Sequence, residues 1–479
     1  MSKSSIFRAE SLRQFAVFVF LLLVSLSIAY TTGAYGIKVG IGIVALIASL
    51  VIVFCIFYRY KFGFYVLLVY SHFMFLIGSF VTLPIPLGTI IDAILVLILL
   101  AVLVHRKYQS TTPIKKEHPF KNVVGTFVII SVVFDLIQVL NPISPLSIGI
   151  TLLELRESLY LILIFFISFK IFDSYKAIVN YTLIWVFLSL LVAGYGLFQE
   201  FAGLRDFEWQ FLRSDPRRFE LYFIWGRVRK WSFLSDPSVF GMQMAFCGIF
   251  CFIIALGKFP ARVRLISLVV AVISMMSMSY SGTRTAVGMV PLGIALYFLM
   301  TLNNPKMLVA AILTGLIFLA VIFGPFYGST ANRIRSTFNK DDPSMSLRDG
   351  KRDILQGHIM HNPLGSGLGT ANGVAKRLTV TADTDSGYLR TAVDKGIPGL
   401  IIQLGLYCSV MIIGIRAYYR SRNSRIKSLY AAYLSAFFAI TFANFYQDAS
   451  DQKPLNILMI AVFSIMLRLE KTDDQPELS

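Results

Sequence analysis

Runs of about 20 apolar residues recur along almost the whole chain, and they restrict its fold more than any other feature. Each run is long enough to cross the roughly 30 Å hydrocarbon layer of a bilayer as a helix. With 479 residues, of which 56% are hydrophobic and 15% charged, the sequence predicts an all-α polytopic membrane protein. We treat residues 1–479 as a single integral membrane domain, because no long linker or low-complexity tract interrupts the runs.

The runs predict about fourteen transmembrane helices. The first run is longer than the core of a signal peptide and has no small-residue cleavage site, so it is predicted to be retained. The predicted helices cover residues 13–32, 36–58, 63–81, 87–105, 121–141, 151–172, 177–199, 238–257, 263–280, 284–302, 306–325, 395–417, 426–446 and 453–468.

Lysine and arginine in the short loops set the predicted orientation. Alternate short loops are basic, whereas those between them, such as TLPIP and NPISPLS, carry almost no positive charge. Because basic short loops stay in the cytoplasm, both termini are predicted to be cytoplasmic. The basic residues form no single patch, so the net charge of +18 reflects membrane topology, and no nucleic-acid partner is predicted.

Two long loops on the extracytoplasmic side break this charge rule. They span about 200–237 and 326–394, are rich in arginine, and are predicted to contain short amphipathic helices. Guanidinium groups at a membrane surface suit an anionic ligand, above all a phosphate. The arginines that we single out on this side are Arg156, Arg227, Arg229, Arg284, Arg348, Arg352 and Arg390.

Arg156 belongs to the stretch LLELRESLY at the outer start of the helix predicted over 151–172. Its neighbours Glu154 and Glu157 are favoured by the helix dipole if they lie in the first turn. The alternative is functional: Arg156 joins an anion site and is held there by a glutamate neighbour.

The second long loop contains the most informative motifs. A helix is predicted over residues 346–360, capped by Ser346, with Arg348 and Arg352 on one face as either a phosphate clamp or a solvated surface. Its predicted apolar stripe consists of Leu347, Ile354, Leu355 and Ile359. The stretch HNPLGSGLGTANG follows, and Gly367 and its neighbouring glycines allow either a tight turn or close approach to a ligand. Two histidines in this loop are too few for a metal site.

Acidic and aromatic residues precede the next predicted helix. In TADTDSGYLRTAVDKGIPGLI, Asp383, Asp385 and Asp394 lie near the predicted membrane surface, and Tyr388 suits the aromatic belt. These carboxylates either cap the helix or act as a base on a sugar hydroxyl, and we select Asp385 for the second role.

Four stretches, taken in order, resemble the bacterial O-antigen ligase and polysaccharide polymerase superfamily of membrane glycosyltransferases. They are RKWSFLSDPSVFG (229–241), SGTRTAVG (281–288), RDGKRDILQGHIMHNPLGSGLG (348–369) and DSGYLRTAVDKGIPGL (385–400). Arg284 matches the family's arginine after a helix break. Arg348 matches the arginine that stands fifteen residues before the Pro-Leu-Gly element, here Pro363.

The resemblance implies a multi-pass enzyme of the bacterial cytoplasmic (inner) membrane whose active site faces the periplasm. Its implied donor is a glycan on undecaprenyl diphosphate, its acceptor a lipid-linked repeat unit, and a chain-length regulator is a possible partner. Arginines would hold the diphosphate, and neither a metal nor another cofactor is implied. Asp385 stands where ligases of the family carry histidine, which favours a polymerase. Ser386 replaces the asparagine that follows, and Arg352 replaces an aromatic residue.

Two alternatives stay open at this stage. The first is a ligase that moves a finished glycan onto a lipid A core or a protein. The second is a lipid-linked sugar flippase, which would place its charged residues in a cavity within the membrane and not in an outer loop.

Overall fold

The computed structural model of the chain describes residues 18–19, 22, 24–80, 86–108, 118–224, 226–303, 305–323, 343–371 and 386–472. Its structure is 81% helical and has almost no sheet. The helices and strands are α1 (Ile37–Tyr58), α2 (Tyr60–Phe80), α3 (Leu87–Tyr108), α4 (Val123–Val139), α5 (Ile148–Ile171), α6 (Tyr175–Phe201), α7 (Asp206–Arg213), α8 (Pro216–Tyr222), β1 (Phe223–Ile224), β2 (Arg227–Val228), α9 (Pro237–Leu256), α10 (Ala261–Tyr280), α11 (Arg284–Met300), α12 (Pro305–Phe323), α13 (Pro343–His361), α14 (Gly387–Arg420), α15 (Ser424–Ala443) and α16 (Leu455–Arg468). Residues 24–35 are also helical.

The all-α fold class predicted from the sequence is confirmed for the described residues, and their apolar helices suit a multi-pass membrane protein. Within the described residues, eight helices are long and apolar enough to cross a membrane, namely α1, α2, α3, α6, α9, α10, α14 and α15. Helices α4, α11 and α16 and part of α12 are apolar but shorter. Helix α5 is long, but its charged residues Glu154, Arg156, Glu157 and Lys170 leave it without an uninterrupted apolar segment of membrane length.

The first long loop differs from the expectation in one respect. It contains the two short helices α7 and α8, but also an antiparallel hairpin in which Phe223 pairs with Val228. Gly226 has a φ of 73°, a left-handed conformation that glycine adopts without strain and that suits the tight turn of this hairpin.

The starts of three helices differ from the prediction in ways that affect the site. Helix α13 begins at Pro343, so Ser346 lies inside it and does not cap it, and Ile354 of the predicted apolar stripe is exposed. Helix α5 begins at Ile148, so its acidic residues lie beyond the first turn. Helix α14 begins at Gly387, eight residues before the predicted start, but its helical geometry is interrupted at Gly396, so the part after the interruption matches the predicted span.

The chain divides into two compact units, and the candidate site lies in the second. The first comprises residues 1–63 with 96–108, where Gly63 allows close packing because a Cβ there would lie 2.6 Å from Cγ1 of Ile98. The second comprises residues 64–95 with 109–479. Its centre is α9, which is almost entirely buried and packs against α10, α11 and α15.

Hydrogen bonds at the helix ends establish the direction of the helices in the second unit. Tyr419 Oη donates to Met300 O (3.2 Å), so the carboxyl ends of α14 and α11 lie together. Arg468 Nε donates to Phe172 O (3.0 Å), which joins the carboxyl ends of α16 and α5. Residues 202–236, 281–283, 362–371 and 444–454 therefore lie at the opposite end, which we call the loop end.

Helix α14 bends at Gly396, and this bend shapes the loop end. Gly396 has a φ of 69°, and a Cβ on it would lie 2.3 Å from the carbonyl oxygen of Pro363. Ile397 N donates to that same carbonyl (2.9 Å). The bend therefore holds the start of the loop formed by residues 362–371, which we call the glycine loop.

Replacing Gly396 by alanine should destabilise the protein. The left-handed backbone alone costs about 1–3 kcal/mol for a residue with a Cβ, and the contact with Pro363 adds to this. Thermal unfolding of the full-length protein in detergent measures the effect. The matched control is Gly194→Ala in α6, where a Cβ meets nothing within 4 Å and alanine is the better helix former by about 1 kcal/mol. Equal unfolding temperatures for the two variants would contradict this account of the bend.

Candidate functional site

A basic turn occupies one part of the loop end. Residues 281–283 connect α10 to α11, and Gly282 supplies the positive φ (59°) of this turn. Arg229 Nε donates to Ser281 O (2.8 Å), and its Nη2 donates to Thr283 Oγ1 (3.0 Å). Arg284 follows directly as the first residue of α11. We call residues 281–284 together with Arg229 the arginine turn.

Helix α9 approaches the arginine turn closely because it carries a glycine there. A Cβ on Gly241 would lie 2.4 Å from Oγ of Ser281. Thr283 Oγ1 donates to Pro237 O at the start of α9 (2.9 Å). The sequence stretches 229–241 and 281–288 are thus in direct contact.

The other predicted arginine of the first loop, Arg227, shares an acid with Lys230. Arg227 Nη2 lies 3.1 Å from Glu200 Oε1, and Lys230 Nζ lies 3.5 Å from Glu200 Oε2. Arg227 is more than half exposed, whereas Lys230 is buried. These two cations therefore lie at the end of α6.

The glycine loop is fixed to the bend of α14 and to the end of α4. Ser366 N donates to Val393 O (2.9 Å), and Gly367 N donates to Asp394 O (3.0 Å). Gln138 Nε2 of α4 donates to Leu364 O (2.7 Å). The stretches 348–369 and 385–400 are thereby also in contact.

Asp394 is buried and binds the backbone of the glycine loop, and it does not cap the start of a helix. Its Oδ1 accepts a hydrogen bond from Ala371 N (2.7 Å), and the residue lies well inside α14. Close packing explains the neighbouring glycines. A Cβ on Gly367 would lie 2.6 Å from Cβ of Ser144, and one on Gly369 would lie 2.5 Å from Cγ of Glu154. The predicted contact between Gly367 and a ligand stays a prediction.

A cavity of about 160 Å³ lies between α4, α5, α14, α16 and the glycine loop. It opens within a helix bundle, yet much of its lining is charged, and we call it the charged cavity. Its ionisable lining residues, tyrosines aside, are Asp135, Glu154, Glu157, Arg390, Asp394, Lys395 and Asp451.

Ion pairs between residues that are far apart in sequence surround this cavity. Lys395 Nζ of α14 lies 2.8 Å from Asp135 Oδ1 of α4, and Asp135 also accepts a hydrogen bond from Ser158. Lys453 Nζ lies 2.8 Å from Glu157 Oε1 of α5. Charges inside a membrane protein are costly unless paired, so these pairs allow ionised groups at this depth of the bundle.

Arg390 lies between two carboxylates of the loop that follows α15. Its Nη1 is 2.5 Å from Asp448 Oδ2 and 3.1 Å from Asp451 Oδ2. Burial and the nearby charge of Asp451 raise the pKa of Asp448 to about 6, and Arg390 opposes this rise. Arg390 is therefore fixed at the wall of the cavity by two acids.

Three further predicted residues have partners that the sequence did not indicate. Arg156 pairs with Asp92 of α3 (3.7 Å), so its ion-pair partner is not the predicted glutamate neighbour. The guanidinium of Arg352 lies 5.0 Å from the ring centre of Phe445, within the range of a cation–π contact. Tyr388 Oη donates to Thr441 O (2.7 Å), which anchors α14 to α15.

Two of the three predicted catalytic residues cannot be placed in the site. Arg348 lies in α13, but its side chain is outside the described part of the chain, and Asp385 and Asp383 fall in 372–385, which is also outside it. Arg284 is the predicted catalytic residue whose side chain is described, and it is half-buried.

Three ionisable residues of the charged cavity, Asp135, Lys395 and Asp451, were not predicted from the sequence, whereas Glu154, Glu157, Arg390 and Asp394 were singled out. Asp135 lies within the predicted span 121–141, and Lys395 begins the predicted span 395–417. An ionisable residue within a membrane segment indicates a functional site by default, so this signal was available. The partner of each residue could not be deduced, because Lys395 and Asp135 are 260 positions apart.

No model of a known protein family matches the sequence, and no curated protein is significantly similar to it.

Removing the charge of Lys395 should leave Asp135 buried without its cation. We expect Lys395→Met to lower the free energy of unfolding by about 3 kcal/mol, the lower end of the range for a buried pair, because Lys395 is partly exposed. The double variant with Asp135→Asn should regain most of this stability, since the uncompensated charge disappears. Unfolding temperatures of the full-length protein provide the measurement.

The control for this experiment is the exposed pair of Arg420 and Glu470, whose closest atoms are 3.9 Å apart. Arg420→Met should cost less than about 1 kcal/mol, as exposed pairs do. A loss for Lys395→Met no larger than that of the control would show that the pair does not hold α4 to α14.

Proposed function

We propose that the protein is a polymerase of bacterial surface polysaccharide in the cytoplasmic membrane. It transfers a glycan from an undecaprenyl-diphosphate donor to a lipid-linked repeat unit. The proposal rests on one observation. Residues from all four stretches that resemble the glycosyltransferase superfamily lie together at the loop end, within the described part of the chain. One pair meets around the arginine turn, and the other meets around the bend of α14 and the charged cavity.

The proposed topology has fourteen membrane spans, with both termini in the cytoplasm and the loop end outside. Short basic connections at the opposite end of the second unit support this orientation, since α9 leads to α10 through Lys258 and Arg262, and α14 leads to α15 through Arg422. Basic short loops are retained in the cytoplasm.

In the proposed reaction, a hydroxyl oxygen of the acceptor attacks the anomeric carbon of the donor glycan. A carbon–oxygen bond forms there, the bond from that carbon to the diphosphate oxygen breaks, and polyprenyl diphosphate leaves. Arg284 and Arg348 would stabilise the charge that develops on the leaving group. Asp385 would accept the proton of the acceptor hydroxyl.

The remaining predicted residues would bind substrate around this centre. Arg229 belongs to the arginine turn and Arg227 lies beside Glu200, whereas Arg352 and Arg390 contact residues that follow α15. The membrane and the lipid-linked oligosaccharide are the proposed partners, together with a chain-length regulator. A ligase acting on lipid A core or protein would use the same groups, and the aspartate at position 385 favours the polymerase.

One observation favours a second candidate, a flippase for lipid-linked sugars. The charged cavity lies between membrane helices and takes its residues from α4 and α5 as well as from α14 and α16. Transporters place charged groups in such cavities. The polymerase remains the first proposal, because the arginine turn and the glycine loop both belong to the connections at the loop end.

The variant Arg284→Ala should abolish polymer formation in cells while protein amount and membrane insertion stay normal. The reason is that a guanidinium at the start of α11 can bind a diphosphate with two hydrogen bonds at once. Arg284→Lys should retain part of the activity, since lysine keeps the charge but lacks the fork. Polymer length is measured on gels of surface polysaccharide.

The matched control is Arg262→Ala, at the exposed start of α10 on the opposite end of the bundle. It should leave polymer length unchanged. Full polymer formation by Arg284→Ala would remove this residue from the mechanism.

The proposed orientation can be tested with single cysteines. In a background with Cys55→Ser and Cys408→Ser, Met360→Cys should react with a membrane-impermeant thiol reagent in spheroplasts, because Met360 is 76% exposed at the loop end. Arg422→Cys, exposed between α14 and α15, should react only after the membrane is permeabilised. The reverse pattern would overturn the orientation and the proposed reaction side.

A further inference from the structure

Two amide oxygens at the charged cavity lack hydrogen-bond partners within the described part of the chain. They are Oε1 of Gln403 on α14 and Oδ1 of Asn456 on α16, and both residues line the cavity. Asn456 is only 4% exposed. A buried acceptor left unsatisfied costs about 1–3 kcal/mol, so these oxygens indicate a ligand that donates hydrogen bonds.

The rest of the cavity lining is also rich in hydrogen-bond acceptors. Carboxylates outnumber cations, and the two cations, Arg390 and Lys395, are both bonded to acids. Carboxylate oxygens only accept hydrogen bonds when ionised. The cavity is therefore rich in acceptors and unsuited to a phosphate or another anion.

The lining also has apolar walls. Phe463 and Leu161 face the cavity alongside the aromatic ring of Tyr160. A sugar ring combines hydroxyl donors at its edge with apolar C–H faces, and this combination matches acceptors and apolar walls in one cavity.

The cavity is large enough for one sugar ring. Its volume of about 160 Å³ is several times the ~30 Å³ that one water molecule occupies in the liquid. Because the cavity is partly open, a sugar ring bound in it can remain attached to a longer glycan outside.

We infer that the charged cavity binds one neutral sugar ring through Asn456 and Gln403 and rejects sugars that carry a carboxylate. That this ring belongs to the lipid-linked repeat unit rests on the proposed function. The diphosphate then binds elsewhere, at the arginine turn, because the cations of the cavity are already neutralised.

The test uses the full-length protein in detergent and simple methyl glycosides. The unfolding temperature is followed with methyl glucoside, methyl galactoside and methyl mannoside, and with methyl glucuronide as the acidic counterpart of the first. At least one neutral glycoside should raise the unfolding temperature in a saturable manner, and the glucuronide should not.

Substitutions then localise the effect. Asn456→Leu and Gln403→Leu should each weaken the apparent affinity on the order of tenfold, the effect of one lost hydrogen bond. Gln243→Leu is the matched control. Gln243 on α9 is also a buried glutamine, its Oε1 accepts no hydrogen bond from the described residues, and it does not line the cavity. It should bind the glycoside as the unchanged protein does. Asn456→Ser serves in place of Asn456→Leu if the latter does not fold.

Three results would overturn the inference. They are no stabilisation by any neutral glycoside, equal stabilisation by the glucuronide, and binding that survives both cavity substitutions. Stabilisation by sodium or potassium ions instead, lost in Asn456→Leu, would also overturn it and assign the cavity to a cation. Glycoside binding without any lengthening of lipid-linked units would contradict the proposed function and leave the inference about the cavity standing. Lengthening of lipid-linked units without glycoside binding would support the proposed function and overturn the inference about the cavity.

Discussion

The ion pair between Lys395 and Asp135 is the interaction on which the loop end depends. Lys395 precedes the bend at Gly396, so fixing its side chain to α4 also fixes the position of the bend. The bend binds the carbonyl of Pro363, and the glycine loop that follows closes the charged cavity. Because Asp135 is buried, breaking its pair with Lys395 would leave an uncompensated charge. The pair therefore favours one geometry of the bend and the glycine loop.

Much of the helical architecture was predictable, because apolar runs of membrane length have few other structural solutions. The segment of α14 before the bend was not. There Tyr388 bonds to Thr441 of α15, and Gly387 packs against Asn444, which directly follows α15. The start of α5 was missed for a simpler reason: the apolar residues 148–150 lengthen the helix by almost a turn. Tertiary contacts outweighed the local pattern in the first case.

The candidate site was predictable only where neighbours in sequence are neighbours in space. Arg284 was predicted from its place at a helix start, and the structure adds that Arg229 braces the turn before it. Asp135, Glu157 and Lys395 act through partners from other helices, which no local pattern reveals. The glycines of 362–371 were interpreted as ligand contacts or turns, and the structure shows that they pack against Ser144, Glu154 and the bend of α14.

The central claim is that the loop end carries out glycosyl transfer, with the arginine turn and the charged cavity binding different parts of one substrate. The most direct test reconstitutes the purified full-length protein in liposomes with a lipid-linked repeat unit on both leaflets and no ion gradient. The account predicts that lipid-linked glycans of increasing length appear together with free polyprenyl diphosphate. Movement of the unit between the leaflets without any lengthening would contradict it and would identify a transporter.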